Sequence, residues 1–423
     1  MWDAFLRIWK LTDLRAKIIF VLLMLVIVRA SAHIPVPGIN TQNLSAFLEG
    51  NQILGLINLF SGGTIENFSI VMLGVAPYIT SSIIFQLLAM VVPRLEEMTK
   101  EGESGQQRIN MYTRLATVPL ALLQAFAMIK LLSQSQYNIM GEVDAYKFVS
   151  IMIMITAGTV FLMWIGELIS EKSIGNGISL LIFAGIISAL PTALQNAIIN
   201  YNPSQLYLYL LFIALTIITV VGVVVINEGQ RNIPVSYAKQ VRGGRSFGGN
   251  TSHLPLRINM AGVIPIIFAI SVVLFPPMIA QFFVNNAGFF GKASRGVIFL
   301  FNNQLFYAIL YFLLVFGFTY FYTAVIFQPQ KMAENLQRQG AFIPGIRPGK
   351  ETEKYLQSTM NKLLFSGALF LGFIAILPLI VKAFTGSQAL VIGGTSLLIV
   401  VSVAIETVKQ IQAQIKMHEY DHV

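Results

Sequence analysis

The sequence predicts an all-α integral membrane protein that crosses the bilayer ten times. Three observations carry that expectation. Of 423 residues, 55% are apolar and only 11% charged, with a mean hydropathy of +0.71, which leaves a water-facing globule short of polar cover. Apolar stretches of about 20 residues, enough for a helix to cross the roughly 30 Å hydrocarbon layer, recur along the chain. The basic residues fall mainly on alternate connections between those stretches.

The spans are placed near residues 18–32, 69–92, 115–133, 148–169, 174–199, 206–226, 258–283, 305–327, 363–383 and 388–408. Each is expected as a helix because unpaired backbone amides are too costly in lipid, and some are expected to bend at an interior proline such as Pro119, Pro265 or Pro378. With the N-terminus inside, 22 of the 28 Lys and Arg lie on inside segments. The other six are Arg29, Lys130, Lys147, Lys292, Arg295 and Lys382, and this bias follows the positive-inside rule through ten crossings. Both termini are therefore expected to be cytoplasmic. Residues 15–32 also look like a cleavable secretory signal, with Arg15, Lys17, the run Ile18–Val28 and Ala30-Ser31-Ala32. Removing them would leave an odd number of spans, against the charge pattern.

Residues 1–201 hold five spans that start inside and end outside, and residues 202–423 hold five that run the other way. Two such halves would form an inverted repeat, an arrangement common among transport proteins, although no motif is visibly repeated between them. The inside loops 227–257 and 328–362 are long, basic and rich in Gly and Pro, and loops of that length usually carry function. Outside, Ile53 to Gly63 is apolar yet too short to span. It reads equally as an interfacial loop or as a re-entrant segment.

The chemistry that is missing narrows the function. Spans 2, 5, 6, 7 and 8 hold no Asp, Glu, Lys, Arg or His, and His33, His253, His418 and His422 all lie outside the spans. No intramembrane zinc site, Ser/His couple or aspartyl dyad can be assembled. The absence of cysteine excludes disulfides and thiol chemistry. Gly243-Gly244-Arg245-Ser246-Phe247-Gly248-Gly249-Asn250 has phosphate-loop glycines but lacks the Lys-Ser/Thr that would hold a nucleotide, so a flexible basic loop is expected. The chain is expected to be neither an enzyme nor a holder of cofactor or metal, and energy for any transport must come from a partner. A secondary transporter of small solutes is the rival, but it would need polar or ionisable ligands at the midplane.

Several stretches resemble the SecY family of protein-conducting channels, in order from the N-terminus to about residue 410. They are Ala76-Pro77-Tyr78-Ile79, Ile83-Ile84-Phe85-Gln86-Leu87-Leu88, Lys100-Glu101-Gly102-Glu103-Ser104-Gly105 and Ile174-Gly175-Asn176-Gly177-Ile178-Ser179. Further on come Leu254-Pro255-Leu256, Asn259-Met260-Ala261-Gly262-Val263-Ile264-Pro265, Phe342-Ile343-Pro344-Gly345-Ile346-Arg347-Pro348-Gly349 and Gly393-Gly394-Thr395-Ser396.

The resemblance implies a central hourglass pore closed by an apolar ring of Ile79, Ile83, Ile178, Ile182, Ile267 and Ile399. In span 5, Ile186 could replace one member by a one-turn shift. It makes the short outside segment a plug near 54–67, with Leu56, Leu59, Phe60, Gly62 and Gly63, and it places a lateral gate between spans 2 and 7 at Ser82, Gln86, Ser271 and Phe275. The basic inside loops become docking surface for the motor ATPase SecA or for the ribosome and its RNA, with Arg242 and Arg347 as contacts. The implied substrates are signal sequences and unfolded secretory polypeptides, which cross the membrane or, as apolar segments, pass sideways into lipid. The implied companions are the small subunits SecE and SecG, in a bacterial inner membrane.

Overall fold

The computed structural model describes residues 11–37, 39, 41–50, 63–133, 139–140, 144–199, 203, 206–237, 240–242, 245–247, 251–284, 288–385 and 394–421. Each expected span falls wholly or in part on a helix, residues 388–393 of the last one lying outside the described residues. These are α1 (Thr12–Ser31), α3 (Ala76–Val91), α5 (Glu103–Ser133), α6 (Ala145–Glu171), α7 (Gly177–Ile199), α8 (Leu206–Glu228), α9 (Ile264–Phe283), α11 (Gln304–Ile326), α13 (Lys350–Thr385) and α14 (Gly394–Asp421). Among the described residues, four shorter helices lie between the expected spans: α2 (Thr41–Gly50), α4 (Pro93–Lys100), α10 (Phe289–Asn302) and α12 (Pro329–Arg338). Among the same residues, six helices are long and apolar enough to cross a membrane, and the bent pair of α3 and α4 makes a seventh candidate.

The ends of the spans follow local chemistry. The second span starts later than residue 69 because Thr64–Val75 is a run of turns, with Gly74 at φ 57°, a conformation glycine adopts freely. Its helix stops at Val91 because Pro93 pushes the preceding residue out of the helical region. Val92 is extended, and α4 leaves at 99° to α3. Pro119, Pro191, Pro276, Pro277 and Pro378 lie inside helices. Pro265, expected in a helix interior, sits in the first turn of α9, where its missing N–H has no partner to lose.

The described contacts form two compact units. The first comprises residues 1–206, 270–307 and 403–423, and the second comprises 207–269 and 308–402. In the first, a closed apolar core gathers Val36, Leu44, Ile65, Phe68, Met72, Ile129, Ile151 and Ile155. The 64–75 turns are held in it by backbone bonds from Val36 N to Phe68 O (2.9 Å) and from Ile70 N to Ile34 O (3.1 Å). Ser69 Oγ donates to Ser31 O at 2.9 Å. Gly158 of α6 lies so close to the Ile70 carbonyl that a Cβ there would overlap it. Gly158→Ala is therefore expected to destabilise the protein by about 1–3 kcal/mol through overpacking, read as a lower melting midpoint in detergent. Gly296→Ala in α10, where a Cβ meets nothing within 4 Å, is the control expected to leave it unchanged or raise it.

In the second unit the two long inside loops fold together. Strands β1 (Gln230–Tyr237), β2 (Gln240–Arg242), β3 (Arg245–Phe247), β4 (Thr251–Arg257) and β5 (Ala341–Phe342) make a three-stranded sheet of order β4-β1-β5 and a separate β2-β3 hairpin. The register pairs Ile233 with Leu254 and Arg231 with Leu256. Ile233, Val235 and Leu256 are buried against Phe327, Ala341, Ile343, Leu356 and Met360. The long basic loop 227–257 thus contains paired strands, because apolar residues alternate along both β1 and β4, and within the stretch 243–250, expected as a flexible loop, Arg245–Phe247 forms β3. Pro234 is tolerated because β5 pairs only with Ser236 and Tyr237, leaving β1 a neighbour on one side there.

Candidate functional site

Three groups of expected site residues can be built up from their elements, beginning with the apolar wall. Ile79 and Ile83 lie one turn apart on α3, so they share a face, and both are buried. Another face of α3 is tied to α5, where Ser81 Oγ donates to Thr113 O at 2.7 Å. On α7, Ile182 and Ile186 are buried and Ile178 is half-buried. The Cδ1 of Ile178 lies 2.6 Å from where a Cβ on Gly166 would stand, so Ile178 packs tightly on α6. The turn between α6 and α7 is fixed by Ser170, whose Oγ donates to Gly166 O and accepts from Gly177 N, each at 2.9 Å. In the other unit Ile267 is half-buried and Ile399 is fully buried.

The second group surrounds the expected plug. Leu56, Leu59, Phe60 and Gly62 lie outside the described residues. Gly63, the first described residue after them, has φ 79°, and Thr64 and Ile65 just after it are buried. A small cavity brings Thr64, Val71 and Gly74 of this segment together with Leu181, Ile182 and Ser188 of α7. Of the expected gate residues, Ser82 and Gln86 meet on α3, where Gln86 Nε2 donates to Ser82 Oγ at 3.0 Å. The Gln86 Oε1 atom is buried without a partner among the described residues. Ser271 and Phe275 are half-buried one turn apart on α9, just before Pro276 and Pro277.

The third group lies on the folded loops expected on the inside. Arg242 ends β2 opposite Arg245, and its side chain lies outside the described residues. Arg347 is exposed on a turn that is fixed on both sides. Ile346 packs on the core of the folded loops, and its N–H donates to Ile343 O at 3.0 Å. Gly345 and Gly349 take φ 82° and 98°, and Thr352 Oγ1 donates to Arg347 O at 3.0 Å.

Sequence reasoning missed three polar contacts. Arg114 of α5 forms an ion pair with Glu167 of α6, signalled only by opposite charges near the inside ends of adjacent spans. In the second unit Asn227 Nδ2 donates to Ser402 Oγ at 2.5 Å, and Asn259 Nδ2 donates to Asn227 Oδ1 at 2.7 Å. Among the described residues, no cluster of three or more His, Cys, Asp or Glu could hold a metal ion.

Comparisons with known proteins bear on the whole chain. The family model described as SecY matches residues 69–408. Protein translocase subunit SecY of Halalkalibacterium halodurans is 43% identical over 431 residues, which cover 99% of each chain. That of Corynebacterium glutamicum is 43% identical over 440 residues, again 99% of each. Among solved structures, a protein-conducting channel superposes with a TM-score of 0.64 at 19% identity, covering 94% of this chain and 91% of that one. Sec61 in the canine ribosome-channel complex from the endoplasmic reticulum superposes with a TM-score of 0.62 at 18% identity, with the same coverage, a likeness of fold alone. With a family match across most of its length and full-length relatives at this identity, the chain belongs to the SecY family.

Proposed function

We propose that the chain is the channel-forming subunit of a protein translocase, passing unfolded secretory polypeptides across the membrane and releasing apolar segments sideways into lipid. The observation that carries this reading is the apolar wall: α3 and α7 present buried isoleucines and contain no Asp, Glu, Lys, Arg or His. Such a constriction closes by dewetting, resisting ions while remaining able to part around an extended chain. Full-length similarity to translocase subunits points the same way. A solute transporter would instead need charged or polar ligands at its midplane.

In this reading Ile79, Ile83, Ile182, Ile267 and Ile399 form the ring. The packing of Ile178 on α6 favours Ile186 as the second member from α7. Leu56, Leu59, Phe60, Gly62 and Gly63 belong to a plug, and the buried turns after Gly63 anchor its downstream end. Residues 1–201 and 202–423 are the two inverted halves, with both termini and the folded loops on the cytoplasmic side of a bacterial inner membrane. SecE and SecG are the small membrane companions. Arg242 and Arg347 face SecA or the ribosome, whose RNA phosphates suit basic loops. The chain itself performs no catalysis.

The ring is tested by Ile399→Asn and Ile267→Asn. An amide at the constriction holds water, and removing about 1.4 kcal/mol of a dewetting barrier raises ion flux about tenfold. Planar-bilayer recordings of the reconstituted complex are expected to show that rise, together with passage of weakened signal sequences. Unchanged conductance in both variants would remove these residues from the gate.

A further inference from the structure

An open groove of about 670 Å³ lies between α11 and α13, within the second unit. Its upper part is polar: Lys354, Gln357, Ser358, Asn361 and Lys362 line it, and all five are exposed. Lys354, Ser358, Asn361 and Phe365 recur at helical spacing along one face of α13. The cationic ends are free to meet an anion. Lys362 makes no ion pair among the described residues. Lys354 has only Glu351 on its own helix, at 3.9 Å and largely in solvent, a pairing worth little.

The lower part is aromatic. Tyr320 and Phe365 complete the lining, and Phe316 stands beside both, with ring centroids at 5.1 and 6.2 Å. Phe365 is 52% exposed, although it lies just inside the span expected from residue 363. Lysines thus stand at headgroup level and an uncovered aromatic surface at acyl-chain level, along one groove. A free phosphate would make no use of the aromatic part, and a water-soluble acidic peptide would not reach it.

From this arrangement we infer that the groove between α11 and α13 is a binding site for one anionic phospholipid of the inner leaflet, its phosphate held by Lys354 and Lys362 and an acyl chain laid along Phe365 and Tyr320. The choice of leaflet rests on the topology proposed above. Glu351→Cys in this cysteine-free chain tests it separately, because a membrane-impermeant maleimide is expected to label it only from the cytoplasmic side.

The test is native mass spectrometry of the purified complex titrated with phosphatidylglycerol or phosphatidylcholine. The wild type is expected to retain one tightly held phosphatidylglycerol that Lys354→Gln with Lys362→Gln binds about tenfold or more weakly, two lysines each contributing about fivefold. Lys354→Arg with Lys362→Arg is expected to keep it, as is Lys331→Gln, an exposed lysine outside the groove. Phe365→Ala is expected to weaken retention without altering charge. Equal retention by the double glutamine variant, equal retention of phosphatidylcholine, or displacement by excess inorganic phosphate or an acidic peptide would each overturn the assignment.

Discussion

Arg347→Glu is expected to abolish polypeptide transport while the protein still inserts and assembles. The side chain is exposed and touches no span, so its reversal leaves the buried core intact. Its direction is set by Ile346 packed in the core, by the two left-handed glycines and by the Thr352 bond to its own carbonyl. A backbone ordered before a partner docks lowers the entropy cost of the contact. Losing a hydrogen bond to a charged group costs about 1.5–3 kcal/mol, and reversing the charge adds repulsion, so a loss of about a hundredfold is expected. Protease protection of a secretory precursor in energised vesicles reads the effect. Normal transport by assembled mutant vesicles would contradict the role.

A disulfide between α3 and α9 is expected to stop transport reversibly. A signal sequence leaving the pore for lipid gains about 0.8 kcal/mol per buried CH₂, so a wall must part to let it out. The α3 side carries Ser82 bonded to Gln86, whose Oε1 is buried without a partner among the described residues. The α9 side carries Ser271, Phe275 and the paired prolines. In the proposed gate, small polar residues and a proline-weakened helix would make a seam that opens more readily than interlocked apolar packing. Because the native chain has no cysteine, pairs placed at positions 82 or 86 and 271 or 275 report on this seam alone. Oxidation is expected to block transport and reductant to restore it. Transport and insertion at the normal rate with the disulfide closed would move the gate elsewhere.

The helices were legible because the bilayer imposes one length and one composition, and each expected stretch falls wholly or in part on a helix, six or seven of them apolar and long enough to cross a membrane. Their ends were less so. The late start of α3 depends on turns around Gly74 that hydropathy cannot register, and the inward extensions of α5 and α13 are polar helix outside the apolar window. The sheet in the folded loops was readable in principle, since Ile233 and Val235 alternate with polar residues and Gly243-Gly244 separates two short runs as a hairpin connection does. A basic, Pro-containing composition obscured that pattern. The docking of β1 on β5 joins loops about a hundred residues apart, which no local signal could show. At the candidate site, the shared buried face of Ile79 and Ile83 follows from their spacing on one helix. The packing of Ile178 against Gly166 depends on how closely α6 approaches α7, and that closeness is set by glycines whose partners the sequence does not name.

The central claim is that a polypeptide passes along the isoleucine wall. It is tested most directly by arresting a secretory precursor in mid-transfer with photo-crosslinkers placed singly at Ile83, Ile182 and Ile399. Adducts to the precursor are expected from all three positions, present only while the chain is arrested and lost when it is released. Crosslinks confined to lipid or to this chain, with the precursor still crossing the membrane, would show that the path lies elsewhere.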